Sequence, residues 1–468
     1  MESLQHSAYP DHNEETLRAI SLGEEIPRKG KKIALIVPSS PQIPTPGREF
    51  LVTGPFEGFT YIATLVKKLG YDLTVLDCRL RDDIPDYVLK GVADADAIGI
   101  STYCDSFVFL QDTTRLIKET YPGKFLFIGG PLVTSLPEII LKNTSADCAV
   151  IGEGELTVIE LLDKHVLKKT LELRDIKGIA FRDDGKIVKN RMRPLISSLD
   201  NLPYLDYTIW PNYDSIVKNG QIMVSSTRGC PQMCSFCFKT IAKFRNKSLK
   251  KFDDEISYLK KTTNFNYTWL NDLTFNAIEK RAIELAKTLK KYNVRYHCFA
   301  RVQKVTPAFV RTLKDTGCLG VWFGIESLDQ AVLDINRKNQ ELKEAESAVK
   351  LAADAGLAVR GLFIVGLRGE TEEALQKMVE FIKRGNFLPL VKHLVPFPGT
   401  ELYDYAVKTG KIKDTVEFLK LLSQRKVGDY DDEIINLTDL PEETLRRYFH
   451  EIWKITKERD GMFSEECV

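Results

Sequence analysis

Short apolar runs bounded by turn residues alternate with stretches of helical period along most of this chain. In the first half the apolar runs are Ile33–Val37, Leu73–Leu76, Ala97–Ile100, Phe125–Ile128 and Ala149–Ile151. None alternates polar and apolar positions, as expected of parallel strands covered on both faces. Between the first two, Tyr61, Leu65 and Leu69 share a helical face that stops at Gly70. The loops that follow the strands are small and polar: Pro38-Ser39-Ser40-Pro41, Ser101-Thr102, Gly129-Gly130-Pro131 and Gly152-Glu153-Gly154-Glu155. Strand–helix alternation at this spacing predicts an α/β domain with a doubly wound parallel sheet, whose carboxyl edge is the place for a ligand.

The second half repeats the alternation. Strands are predicted near 222–226, 267–271, 295–300, 320–325, 359–365 and 390–395, and Ile278, Ala282, Leu285, Ala286 and Leu289 share one intervening helical face. Six units are fewer than the eight of a closed barrel, so a partial (β/α)6 barrel is expected. A hairpin is predicted at Asp183-Asp184-Gly185, and after Pro398 the period is helical, with charged clusters at Asp429–Glu433 and Glu442–Arg447. These patterns divide the chain into an N-terminal lead-in (1–30), a Rossmann-like domain (31–170), a connector (171–215), a partial barrel (216–400) and a helical C-terminal region (401–468).

Composition narrows the function. The chain has 468 residues, of which 43% are hydrophobic, enough for more than one core. Its 66 basic and 65 acidic residues nearly cancel, which argues against a nucleic-acid wrapper or an anionic-membrane coat. No apolar run approaches the ~20 residues of a membrane span. The first residues lack an export pattern, so a cytoplasmic location is expected. Nine cysteines, an odd number, disfavour a disulfide framework. Six are scattered (Cys78, Cys104, Cys148, Cys298, Cys318, Cys467), and four of these sit in or beside apolar runs, where a cysteine serves as a small buried hydrophobe.

Cys230, Cys234 and Cys237 are different. They crowd one loop, Thr227-Arg228-Gly229-Cys230-Pro231-Gln232-Met233-Cys234-Ser235-Phe236-Cys237-Phe238, directly after the first strand of the second half. Three thiolates so spaced can hold one cubane iron–sulfur cluster and leave its fourth iron without a protein ligand, open to a small molecule. The alternative is a three-cysteine zinc site with a fourth ligand from elsewhere, although zinc loops favour paired cysteines in two knuckles and no second pair exists.

The Cys-x3-Cys-x2-Cys loop with an aromatic residue before its last cysteine resembles that of the radical S-adenosylmethionine enzymes. Later segments resemble the same family: Trp269–Phe275, Cys298–Arg301, Gly324–Ser327, Phe363–Thr371 and Pro396–Leu402. Leu367-Arg368 departs from the Leu-Pro often found there. The N-terminal half is similar to the cobalamin-binding domain that one class of these enzymes carries, on the strength of Gly129-Gly130-Pro131 and Ala149–Thr157. The Asp-x-His-x-x-Gly loop of many such domains is missing. The only histidines before the cluster loop are His6, His12 and His165, which resembles the members that bind cobalamin with no histidine on cobalt.

The resemblance implies a cobalamin-dependent radical methyltransferase with three cofactors: a [4Fe–4S] cluster, S-adenosylmethionine and cobalamin. Reductive cleavage of S-adenosylmethionine would yield a 5′-deoxyadenosyl radical that takes hydrogen from an unactivated carbon, which methylcobalamin then methylates. It implies Cys230, Cys234 and Cys237 as cluster ligands, and Phe236, Asp272, Arg301, Glu326 and Gly366 as contacts to S-adenosylmethionine. Ser101, Thr102, Gly129, Gly130, Gly152, Glu153, Glu155 and Thr157 would line cobalamin. Tyr103 is the candidate catalytic residue near the lower face of cobalt. Implied partners are a reductant such as flavodoxin or ferredoxin and a small-molecule or peptide or protein acceptor. His297, His393 and His450 are expected to be packed or solvated. A radical cyclisation or rearrangement with the same cofactors is the rival enzyme reading, and a non-catalytic cobalamin or iron–sulfur sensor the rival of another class; the intact motifs speak against the sensor.

Overall fold

The computed structural model describes residues 14–22, 30–39, 54–241, 243–428 and 432–463. His6, His12, Cys467, Ser40-Pro41 and most of the Asp429–Glu433 cluster lie outside the described residues. Two compact units emerge, one from residues 1–40 and 56–211, the other built on 212–468.

The first unit is a seven-stranded sheet. Its strands are β1 (Lys32–Val37), β2 (Asp72–Asp77), β3 (Ala97–Ser101), β4 (Phe125–Gly129), β5 (Cys148–Val150), β6 (Ile179–Asp183) and β7 (Lys186–Lys189), in the spatial order 2-1-3-4-5-6-7. The first five are parallel, with Ile33 opposite both Leu73 and Ala97. The order reverses between β1 and β3, the switch point at which open α/β sheets hold ligands. The apolar runs form the core because both faces are covered: Ile33, Ala34, Ile36, Val37, Ile98 and Ile128 are all buried.

Two expectations change here. The stretch read as a connector adds β6 and β7, antiparallel, to the sheet edge. Their hairpin turns through Asp184 and Gly185, both at positive φ, as the sequence there predicts. The lead-in carries a nine-residue helix, Glu14–Leu22, with Leu17 and Ile20 buried. Two and a half turns are too few for a period to stand out in the sequence.

The second unit is a parallel six-stranded sheet: β8 (Met223–Val224), β11 (Tyr267–Leu270), β12 (Arg295–Arg301), β13 (Cys318–Glu326), β14 (Ala358–Val365) and β15 (Leu388–His393), in chain order across the sheet. All five pairings are parallel. This is the expected partial barrel. One face of its strands is buried (Leu270, Cys298, Phe323, Phe363), whereas the other carries half-exposed side chains. A two-residue antiparallel ribbon, β9 (Thr227–Arg228) with β10 (Arg245–Asn246), stands apart from the barrel. A 22-residue helix, Glu442–Phe463, packs against β15 with Leu445, Phe449 and Ile452 buried, and Phe449 stacks on His393 at 4.2 Å between centroids.

One helical position was misplaced by the sequence pattern. Ala282, Leu285, Ala286 and Leu289 are buried on the helix Glu279–Lys291, but Ile278 is 45% exposed. It ends the preceding 3-10 turn with extended backbone, so it never joins the helical face.

Candidate active site

In the second unit the chemistry gathers at the carboxyl ends of the strands. Short β8 feeds the cysteine loop, and the β9–β10 ribbon closes that loop at its base, since Thr227 and Arg228 pair with Asn246 and Arg245. Gly229 opens the loop at φ 77°, and a Cβ there would collide with the carbonyl oxygen of Lys243. Glycine is therefore required at this turn on two counts.

Asp272, just past β11, fixes the same base. Its carboxylate accepts from the backbone N–H groups of Ser226 (2.7 Å) and Thr227 (2.8 Å) and from both hydroxyls (2.6 and 2.8 Å). It is 1% exposed, and burial pushes its carboxyl up while these four donors pull it back. Asp272, expected as a contact to S-adenosylmethionine, here uses its oxygens to hold the base of the cysteine loop.

The loop's middle is held from the other side. Ser235 donates its backbone N–H to the Asn336 carbonyl at 3.0 Å and its hydroxyl to Asn336 Oδ1 at 3.2 Å. Asn336 in turn donates to the carbonyls of Val332 and Arg368. Among the cysteines, Cys230 Sγ lies 3.5 Å from Thr274 Oγ1, and Cys234 Sγ accepts from Arg301 Nη1 at 3.7 Å. Burial, opposed by Lys239 and reinforced by the neighbouring sulfurs, pushes the Cys237 thiol up to about 11. Hydrogen bonds to sulfur are a known lever on cluster potential, so the donor set fits an iron–sulfur cluster.

Arg301 ends β12 and is 7% exposed. Besides Cys234 it reaches Gln303 Oε1 (2.6 Å) and the carbonyls of Lys338 and Asn339. Glu326 ends β13 at φ 67°, an unusual backbone for a non-glycine residue, where the register with β14 shifts. Its carboxylate pairs with Lys338 Nζ at 2.9 Å, both side chains being largely buried. A Cβ on Gly324 would lie 2.6 Å from that carboxylate, which explains the small residue. Lys338 also sits 5.9 Å above the Phe236 ring. Gly366 ends β14 at φ 96° and donates its N–H to Glu370 Oε2 at 2.6 Å; burial pushes the Glu370 carboxyl up to about 8.

Cys230, Cys234, Cys237, Phe236, Arg301 and Glu326 are thus brought together. Asn336, Lys338 and Thr274 complete the set; Thr274 lies in the Trp269–Phe275 segment, whereas Asn336 and Lys338 carried no signal in the sequence, because only the folded sheet brings 336–338 beside 230–237.

In the first unit the loops after β3 and β4 interlock. Thr102 is fully buried and its hydroxyl accepts from the Val133 N–H at 3.3 Å. Gly130 has φ 116°, and a Cβ there would lie 2.6 Å from the Thr102 carbonyl oxygen. Gly129 backs onto Val150, and the Gly152 N–H binds Thr134 Oγ1 at 3.0 Å. Tyr103 packs on Phe56 at 4.1 Å between centroids and receives the Ser101 hydroxyl at 3.3 Å, and burial pushes its phenol well up, so it is neutral. This edge of small groups and one aromatic pair fits a corrin, and the charges beside it are matched, since Arg79 lies over the Phe56 ring at 4.9 Å and pairs with Asp77.

Other expected corrin contacts are engaged within the chain. Glu153 accepts the Ile196 N–H at 2.7 Å, and Thr157 Oγ1 accepts Arg193 Nε at 2.9 Å and donates to the Lys177 carbonyl. Glu155 is 4% exposed in the first turn of its helix. His165 stacks on Phe125 at the amino end of β4, the opposite edge of the sheet, and cannot serve this site.

A cysteine-bearing partial barrel, accompanied by a doubly wound domain with a histidine-free carboxyl edge, defines a cobalamin-dependent radical enzyme. The comparisons agree. Residues 224–382 match the model of the radical SAM superfamily and residues 50–162 that of the B12 binding domain. A protein from Pyrococcus horikoshii named as an uncharacterized methyltransferase is 30% identical over 392 residues, covering 81% of this chain and 84% of that one. The anaerobic magnesium-protoporphyrin IX monomethyl ester cyclase of Rubrivivax gelatinosus is 28% identical, covering 73% of this chain and 64% of its own. The solved structure of TsrM, a radical S-adenosylmethionine methyltransferase from Kitasatospora setae, shares the fold with a TM-score of 0.66 at 17% identity, covering 82% of this chain and 79% of that one.

The chain belongs to the radical S-adenosylmethionine superfamily, in the class that carries a B12-binding domain. It is a methyltransferase whose cofactors are a [4Fe–4S] cluster, S-adenosylmethionine and cobalamin. No helix of the described residues is long and apolar enough to cross a membrane.

Proposed function

We propose that the protein methylates an unactivated carbon of a small-molecule acceptor by a radical route. The observation that carries this reading is the cysteine loop clamped at the carboxyl edge of the barrel, with the Arg301 guanidinium on Cys234 Sγ and the Glu326–Lys338 pair on the next strand end. When bound, the cluster and S-adenosylmethionine supply the hydrogen-abstracting radical and cobalamin supplies the methyl group.

The chain's own residues do the rest. Cys230, Cys234 and Cys237 hold three corners of the cluster. Arg301 and Glu326, with Lys338, offer a cation and an anion to the carboxylate and amine of S-adenosylmethionine. Phe236 and Gly366 border its adenosine. Asp272 positions the loop through its backbone. Ser101, Thr102, Gly129, Gly130 and Gly152 would border the corrin, and Tyr103, a neutral phenol, would contact it. Glu153, Glu155 and Thr157 support that border from within. A flavodoxin- or ferredoxin-like donor would deliver the electron, and a reducing cytoplasm suits three unpaired metal-binding thiols.

The test is anaerobic reconstitution with iron, sulfide and cobalamin, followed by reduction in the presence of S-adenosylmethionine and candidate acceptors. Methylation gives 5′-deoxyadenosine and S-adenosylhomocysteine in equal amounts and an acceptor heavier by one methylene. The cyclase relative favours a second reading, cyclisation, which would give 5′-deoxyadenosine with no S-adenosylhomocysteine. Absence of both products would leave the sensor.

A further inference from the structure

The half-exposed face of the barrel strands holds a second organised group, below the cofactor rim and not used by the reading above. Trp269 on β11 stacks on His297 of β12 (5.3 Å, 14° between planes) and meets Trp322 of β13 edge-on at 4.9 Å. Phe299 contacts both tryptophans, at 5.3 and 5.5 Å. Strand register puts Phe299, Trp322 and Arg360 in one layer. The Arg360 guanidinium lies over Trp322 at 4.8 Å. Arg360 is half-buried and makes no hydrogen bond or ion pair among the described residues. The Trp322 indole N–H is buried without an acceptor.

Among the described residues this cation stacks on Trp322 and pairs with no anion. The His297 imidazole beside it is held neutral, lowered to about 4 by burial and by Arg360 itself, so it adds no second positive charge and offers the guanidinium no anion. A half-desolvated guanidinium with five free donors and no anion is costly unless a ligand completes it. The surrounding rings offer flat apolar surface with little conformational freedom to lose. At about 3.3 Å per residue, the layer lies roughly 7 Å below Arg301 along β12 and roughly 13 Å below Glu326 along β13.

We infer that this aromatic layer is the acceptor subsite, and that it takes a flat, largely apolar molecule bearing an oxyanion, which Arg360 binds while the rings pack its body. The inference rests on the methyltransferase reading for what is done to that molecule, but the subsite stands on its own geometry. The acid group lies deep, and the carbon to be methylated points up toward Arg301 and the cysteine loop.

The test is calorimetric titration of the anaerobically purified full-length protein with 2-naphthoate, 2-naphthyl phosphate and the neutral 2-naphthamide. The anions are expected to bind wild type, and Arg360→Gln to weaken them at least about tenfold, the loss of a charge-assisted hydrogen-bonded pair. Naphthamide should bind both forms alike, which shows that the variant keeps its aromatic face. Preference for naphthoate marks a carboxylic acceptor and preference for the phosphate a phosphorylated one; either supports the subsite. Equal anion affinity in wild type and Arg360→Gln, or no anion binding to wild type, overturns it. A protein that binds the anions through Arg360 yet never cleaves S-adenosylmethionine keeps this subsite and overturns the proposed function instead.

Discussion

At the scale of single residues, the site is built from buried groups whose partners are internal. Asp272 uses its two oxygens on four donors of Ser226 and Thr227. Asp272→Asn replaces one acceptor oxygen with a donor that faces other donors. We expect about 1–3 kcal/mol lower unfolding free energy in urea and a lower iron content after reconstitution. His297 gives the pH dependence its sign. Its imidazole is lowered from 6.5 to about 4 by burial, and then by Arg360. Between those values the unfolded chain binds a proton that the folded chain refuses. Stability is therefore complete above about pH 6.5 and falls as pH drops toward 4, by up to ~1.4 kcal/mol per pH unit. Urea titrations from pH 7 to pH 4.5 should show this slope, and His297→Phe should flatten it. The cysteines and Arg301 were legible as residues because their spacing and strand-end motifs are local. Lys338 and Asn336 were not, since their relevance depends on a pairing between segments about a hundred positions apart.

The element that matters most is the short ribbon of β9 and β10. Without it the cysteine loop would hang from one end; with it, residues 229–244 are tied at both ends. Gly229→Ala forces a side chain against the Lys243 carbonyl at positive φ, so the ribbon must open. The expected result is reduced cluster absorbance after reconstitution, with the far-ultraviolet circular dichroism unchanged. Two-residue strands have no periodicity, which is why the sequence pattern passed over both. The long C-terminal helix is the opposite case, announced by the helical period that follows Pro398. Phe449→Ala empties a fully buried position stacked on His393 and should cost about 3–5 kcal/mol, read as a lower urea midpoint. The connector was misread for a further reason. Antiparallel edge strands such as β7, exposed at Lys186 and Lys189, lack the apolar run that announces a buried parallel strand.

At the scale of the molecule, two sheets with separate cores carry separate cofactors. Because the cysteines belong to one unit and the β3–β4 edge to the other, changing Cys230, Cys234 and Cys237 together to alanine should abolish iron binding and spare cobalamin binding. Iron analysis and the corrin absorption spectrum of the same full-length preparation check both halves of that expectation. Loss of corrin along with iron would show that the first unit needs the cluster. Net charge near zero leaves the molecule little net charge with which to draw an anion from a distance. Recognition of an anionic acceptor then falls to an individual cation such as Arg360, and we expect only modest salt dependence of acceptor binding.

The alternation of apolar runs and helical periods determined two α/β units, because strand and helix each bury a face at a period of their own that is written locally. The three-cysteine loop determined the cluster chemistry, because ligands drawn from a single loop need only local spacing. Tertiary structure decided what surrounds them: that Asp272 holds the loop, that Lys338 stands against Glu326, that residues 179–189 extend the sheet, and that Arg360 lies over Trp322 with no ion-pair partner among the described residues. Each of those depends on strand register, which follows from the packing of the whole sheet and leaves no signature in any one segment.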